Sequence, residues 1–142
     1  MNLSYREKII WASLISTVLI FGYYFIQAFK VFTNPEIENI SLITLFLGVV
    51  IFITVIQVTL IIALSIVNRK EAKNDGDERD KLIEAKATKI SHFILSAGAW
   101  TTAFGILITS SAFVLINVLI LFLIISEIVG FSLQLFYYRR GF

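Results

Sequence analysis

The chain of 142 residues contains no cysteine, one histidine and one proline, and only 15% of its residues are charged. Without cysteine there is no disulfide framework, no thiolate nucleophile and no Cys-ligated zinc or iron–sulfur site. One histidine excludes any site that needs two histidine ligands from one chain, such as a bis-His haem. The sequence also lacks a Gly-rich phosphate loop and a G-x-S-x-G motif. We therefore predict a protein that is not an enzyme and has no metal, no cofactor and no catalytic residues.

Hydrophobic residues are what the chain has in abundance, since they make up 58% of it and the mean hydropathy is +0.87. Average soluble chains are about 45–50% apolar and about 25% charged. Four apolar runs each reach the roughly 17–25 residues that a helix needs to cross a bilayer. They extend over residues 9–29, 40–67, 90–109 and 112–138. The composition predicts an all-α, four-helix transmembrane bundle that forms a single membrane domain over residues 1–142.

The segment between the second and third runs is rich in charges of both signs. Asn74–Asp75–Gly76 is a turn signal, and Asp77 is a plausible helix N-cap. We expect a helix that starts near Glu78 and continues without a break into the third run, as a cytoplasmic extension of helix three. The predicted helices are about 9–30, 40–67, 78–109 and 112–138, with a cytoplasmic loop at 68–77.

Lysine and arginine placement predicts the topology. If the helices alternate in direction, Lys30 alone lies on one side of the membrane and the other eleven of the twelve basic residues lie on the opposite side. Because basic loops stay in the cytoplasm, we predict an N-in, C-in, multi-pass protein of the bacterial inner membrane. The basic residues are scattered along membrane edges, so we expect no nucleic-acid binding.

Glu127 is the one acidic residue near the middle of an apolar run. It precedes Tyr138 by eleven residues, about 16 Å along a helix, and a carboxylate at that depth is expected to face the bundle interior. Glu127, Gly130, Gln134 and Tyr138 form one stripe, which is either a hydrogen-bonded packing seam or a path for protons or cations. Gln57, which shares a helix face with Thr54, lies at a similar depth and could bond Glu127 if helices two and four touch.

Other candidates lie at the interface and on the packing faces. Lys89 and His92 share a face near the headgroups, where a histidine can titrate near neutral pH. Small residues at close spacing let helices approach one another. The predicted packing residues are Ala97, Thr101 and Gly105 in helix three, Gly48 in helix two and Gly130 in helix four. Trp100 is expected to pack in the core, although it could instead line a pocket for a lipophilic or aromatic ligand.

The run Asp77-Glu78-Arg79-Asp80-Lys81-Leu82-Ile83, continued to Ile90, resembles the signature of the DUF2178-like family of small bacterial four-helix membrane proteins of unknown function. The opening Ser4-Tyr5-Arg6-Glu7-Lys8, leading to Trp11, is similar to that group as well. The resemblance implies a charged juxtamembrane helix before the third of four membrane helices. It implies no activity and no catalytic residues.

Two functions fit these features. The first is a non-enzymatic accessory, regulatory or assembly subunit that contacts a membrane protein partner through its helices, with Arg79, Asp80 and Lys81 as docking candidates. The second is a small dimeric ion-coupled transporter with Glu127 as the coupling acid. Both place the chain in a lipid bilayer, and both require a partner or self-association.

Overall fold

The computed structural model describes residues 4–34, 39–68 and 78–140, with the side chains of the second segment from Thr44 onward. These residues form four helices and no strand, which confirms the all-α prediction. The helices are α1 (Tyr5–Thr33), α2 (Asn39–Val67), α3 (Glu78–Gly105) and α4 (Ala112–Arg140). The predicted turn at Asn74–Asp75–Gly76 and the N-cap Asp77 lie outside the described residues.

Helix α1 begins at Tyr5, before the apolar run, because a capping box starts it. The Ser4 hydroxyl accepts a hydrogen bond from the Glu7 N–H (3.3 Å), and the Glu7 carboxylate accepts one from the Ser4 N–H (2.9 Å). This pair satisfies two backbone donors that a helix start leaves without partners. Lys30 lies in the last turn, where the helix dipole favours a cation.

The helices pack in the spatial order α2, α1, α4, α3, with extensive contacts between each neighbouring pair. Helices α1 and α4 are therefore central, and α2 and α3 lie at the two ends of the row. The main buried cluster lies where α1 meets α2 and α4. It consists of Phe21, Tyr24, Ala28, Val49, Ile53, Ile120 and Ile124.

Three of the four described helices are long and apolar enough to cross a membrane, namely α1, α4 and the part of α2 from Thr44 to Val67. Helix α3 is long enough, at 28 residues, but it is not apolar enough to be counted among them, so the fourth membrane span stays a prediction. Its first turns are charged, and Ser, Thr and Gly dilute its second half. It also ends at Gly105 rather than 109. The chain there tightens into a turn in which the Ile108 N–H bonds the Gly105 carbonyl (3.0 Å).

Helices α3 and α4 run antiparallel in close contact. A Cβ added at Gly98 would overlap the Phe122 side chain, and one added at Gly105 would lie 2.8 Å from a methyl carbon of Leu115. Gly98 is the buried glycine of α3. The contact depends on the missing side chain at this position, because small residues let two helix backbones approach.

Of the three packing residues predicted in α3, only Gly105 contacts α4, at Leu115. Ala97 and Thr101 are exposed, whereas Gly98, which the sequence analysis did not select, is buried. Gly130 packs as predicted, since it is buried and a Cβ there would lie 3.4 Å from the Ser91 Cβ. Gly48 is exposed, and no described atom lies within 4 Å of an added Cβ, so it makes no close contact with another helix in the described part of the chain. Trp100 is 66% exposed and stacks on Phe104, so its predicted core position is wrong.

Gly98→Ala is expected to lower the free energy of unfolding in detergent by about 1–3 kcal/mol, because overpacking forces α3 and α4 apart. The matched control, Gly48→Ala, has open space and is expected to be neutral or slightly stabilising. Adding Phe122→Ala should not rescue Gly98→Ala, since the Phe122 Cβ itself occupies the space. Equal thermal unfolding of the two glycine variants would contradict this account of the contact.

Candidate functional site

The first turns of α1 are joined to α2 by polar side chains. The Tyr5 hydroxyl and the Ser65 Oγ share a hydrogen bond of 2.5 Å, and the Lys8 Nζ donates one to the Asn68 Oδ1 (3.2 Å). Both contacts lie between the N-terminal end of α1 and the C-terminal end of α2. They fix the two helices as an antiparallel pair at this end of the bundle.

Asp80 joins three helices at the same end of the bundle. Its Oδ2 lies 3.1 Å from the Arg6 Nε of α1, and its Oδ1 accepts a hydrogen bond from the Tyr138 hydroxyl of α4 (2.8 Å). The Asp80 side chain is only 20% exposed, and it lies in the first turn of α3, where the helix dipole favours an anion. We call Arg6, Asp80 and Tyr138 the Asp80 cluster.

Two further features hold the helices together near the Asp80 cluster. The Arg139 guanidinium lies over the Trp11 ring at 5.7 Å, which adds a second link between α4 and α1. Ile83 and Ala87, one and two turns after Asp80, have no exposed surface. The charged start of α3 is thus packed against the bundle along one side.

The three docking candidates therefore have different environments. Both carboxylate oxygens of Asp80 are engaged within the chain, so they are not free to meet a partner. Arg79 and Lys81 are exposed, and so are the interfacial candidates Lys89 and His92. The exposed side of α3 thus remains available for contacts, while its Asp80 side is part of the fold.

Gln57 does not meet Glu127. Its Nε2 donates to the Thr17 Oγ1 at 3.4 Å, so it links α2 to α1. Helices α2 and α4 are separated by α1 and make no extensive contact. Thr54 is exposed, and its hydroxyl returns to its own helix at the Val50 carbonyl (2.8 Å). The condition for a Gln57–Glu127 contact is therefore not met, because equal depth does not make two helices neighbours.

Glu127 is exposed on the outside of the bundle, so the expectation that it faces the interior is wrong for this chain alone. Its neighbour Ser126 is buried, with the hydroxyl bonded to the Leu123 carbonyl. Gly130 is buried and Gln134 is half-buried. Among the described residues no hydrogen bond or ion pair reaches Glu127. The residues of the predicted stripe therefore differ in burial, and in the described chain they do not form a continuous interior path.

A buried polar contact that sequence reasoning missed lies nearer the opposite end of α1 and α4. The Tyr24 hydroxyl donates to the Asn117 Oδ1 (3.1 Å), and the Asn117 Nδ2 donates to the Phe113 carbonyl (2.9 Å). Tyr24 is only 2% exposed. The signal that could have found it is Asn117 itself, an amide within the apolar run of α4.

The described residues offer no metal centre. No group of three or more His, Asp or Glu side chains comes together in the part of the chain that the structure describes. An open groove of about 690 Å³ lies between α1 and α2. Its lining is mainly apolar and comprises Leu19, Ile20, Tyr23, Thr44, Leu45, Gly48, Val49 and Phe52. A groove of this kind on two membrane-capable helices suits lipid chains or another helix.

Comparison of the chain with protein-family models, curated proteins and solved structures gives no match in any of the three. The resemblance of the Asp77–Ile90 segment to DUF2178-like proteins therefore remains a prediction.

Asp80→Asn is expected to lower the free energy of unfolding by about 1–2 kcal/mol, because it removes the charge that pairs with Arg6 and leaves a weaker, neutral acceptor for the Tyr138 hydroxyl. Glu78→Gln is the matched control, since Glu78 lies in the same turn and is exposed. Thermal unfolding in detergent and a double-mutant cycle with Tyr138→Phe measure the effect. The single losses of Asp80→Asn and Tyr138→Phe should not add fully, because the first weakens the charge-assisted hydrogen bond that the second removes. Additive losses would show that the two residues are not coupled.

Proposed function

We propose that the protein is a non-enzymatic accessory, regulatory or assembly subunit that acts through helix–helix contacts with a membrane protein partner. The observation that carries this proposal is the exposure of Glu127 near the middle of α4, a helix apolar enough to span a membrane. A carboxylate facing lipid at that depth is costly, so intramembrane acids normally face protein or water. The chain alone provides neither at this position, and a partner can.

The end helix α2 is consistent with this function. Only 11% of its most apolar stretch of 18 residues is buried within the chain. Among the described helices, α1 is the one with which α2 makes extensive contacts. Its exposed Gly48 is a point at which another helix could approach closely. Lipid covers an apolar helix equally well, so α2 supports the proposal less strongly than Glu127 does.

The transporter alternative uses the same carboxylate. Because Glu127 lies on the outside of the chain, an ion pathway through it would have to form between two copies. The residues of the predicted stripe that lie nearest to it, Gly130 and Gln134, add one half-buried amide and no second ionisable group. The subunit function requires fewer additional features and is the one we favour.

The first experiment is the native mass of the chain after mild detergent extraction from the membrane in which it is naturally made. The subunit function predicts co-migration with a larger assembly that contains a second protein. Recovery only as a dimer would contradict it and favour the transporter. Proton flux in proteoliposomes that changes with Glu127→Gln would then be the decisive measurement for the transporter.

We further propose an N-in, C-in orientation in a bacterial inner membrane, supported by the distribution of Lys and Arg. The absence of cysteine makes a direct test simple, since single cysteines can be introduced without a background. Ser110→Cys and Glu78→Cys both replace exposed residues, at opposite ends of α3. In intact cells, a membrane-impermeant maleimide should label Ser110→Cys at once and Glu78→Cys only after lysis. The reverse pattern would overturn the orientation.

A further inference from the structure

The exposed carboxylate of Glu127 lies on one face of α4 together with three other residues. Residues 116, 123, 127 and 134 follow one another at spacings of seven, four and seven, so they share a helix face. Ile116 is 55% and Leu123 is 43% exposed, Glu127 is exposed and Gln134 is half-buried. We call these four residues the Glu127 face. It is an apolar strip with one acid near its centre and one amide two turns farther along.

No lysine, arginine or histidine among the described residues pairs with Glu127. The segments 9–29, 44–67, 90–109 and 112–138 contain no lysine or arginine. Lys89 and His92 of α3 flank Ser91, which packs against Gly130 one turn from Glu127. In the described part of the chain, however, neither forms an ion pair or hydrogen bond with Glu127. A second copy on the same face would bring another glutamate to the same depth and no basic residue. Two carboxylates at one site repel each other unless one is protonated.

We propose that the Glu127 face docks a transmembrane helix of a different protein that carries a lysine or arginine near the middle of the bilayer. This proposal rests on the subunit function proposed above and specifies the partner's chemistry. Pairing removes the cost of an isolated charge for both proteins, since ionisable groups within membranes pair with one another. Gln134, about 10 Å farther along the same face, offers the partner helix a second hydrogen-bonding group.

Site-specific photocrosslinking in the native membrane tests the position of the partner. Leu123 and Ile125 are both exposed, at 43% and 39%. At about 100° per residue, Leu123 lies roughly 40° from Glu127 around the helix, and Ile125 lies roughly 160° from it. A photoreactive phenylalanine derivative at 123 should crosslink a second protein at least ten-fold more than one at 125. Crosslinks only to lipid, or to a second copy of the chain, would overturn the proposal.

Charge reversal then tests the chemistry. Glu127→Lys should reduce the crosslink from position 123 at least ten-fold, and replacement of the partner's intramembrane Lys or Arg by Glu should restore it. Glu127→Gln is a milder variant that should cause a smaller loss. Unfolding of each purified variant in detergent shows whether the chain itself still folds. A partner without an intramembrane basic residue, or a loss that reversal does not restore, would overturn the pairing.

The same samples separate this inference from the proposed function. If wild-type chain co-migrates with a second protein and Glu127→Lys leaves that assembly intact, the subunit function stands and the Glu127 face is not its docking site. If the wild-type chain migrates alone or as a dimer, the subunit function itself fails.

Discussion

The close contact between α3 and α4 is the constraint on which the rest of the structure depends. Helix α3 is not apolar enough to be a membrane span by itself, so its place beside the three apolar helices must come from protein contacts. Between membrane helices, association comes mainly from van der Waals packing and hydrogen bonds rather than from the hydrophobic effect. Gly98 provides the packing against Phe122, and Asp80 provides the polar contacts at the end of the pair.

Helix α1 then connects the α3–α4 pair to α2. At one end its charged first turns reach all three other helices, and Arg6 is the residue that reaches α3. Farther along, the Tyr24–Asn117 hydrogen bond links α1 to α4, and Thr17 with Gln57 links it to α2. Polar groups thus fix which helices are neighbours, while apolar packing fills the space between them. Helix α2, which depends on α1 alone, is the least enclosed of the four.

The sequence predicted the number and type of the helices, because these depend on run length and local signals. It did not predict which residues of one helix contact another, because that depends on the neighbouring helix. Four helices and the all-α class follow from four long runs without internal breakers. The choice of Ala97 over Gly98 was wrong because adjacent residues differ by about 100° around a helix, and spacing alone does not say which face meets α4. The condition for a Gln57–Glu127 contact is not met for a related reason, since depth is readable from sequence but helix order is not.

The exposed position of Glu127 was also not predicted, but its cause is different from the cause of those errors. In the described part of the chain, no buried side-chain nitrogen or oxygen lacks a hydrogen-bond partner. Even Asn117 and Gln57, deep in apolar helices, are bonded within the chain. A fold that satisfies its interior polar groups in this way leaves its one mid-helix carboxylate on the outside, next to a buried serine that is bonded to its own helix. Stability of the isolated chain does not explain an acid at that position. The proposed contact with another membrane protein would explain it.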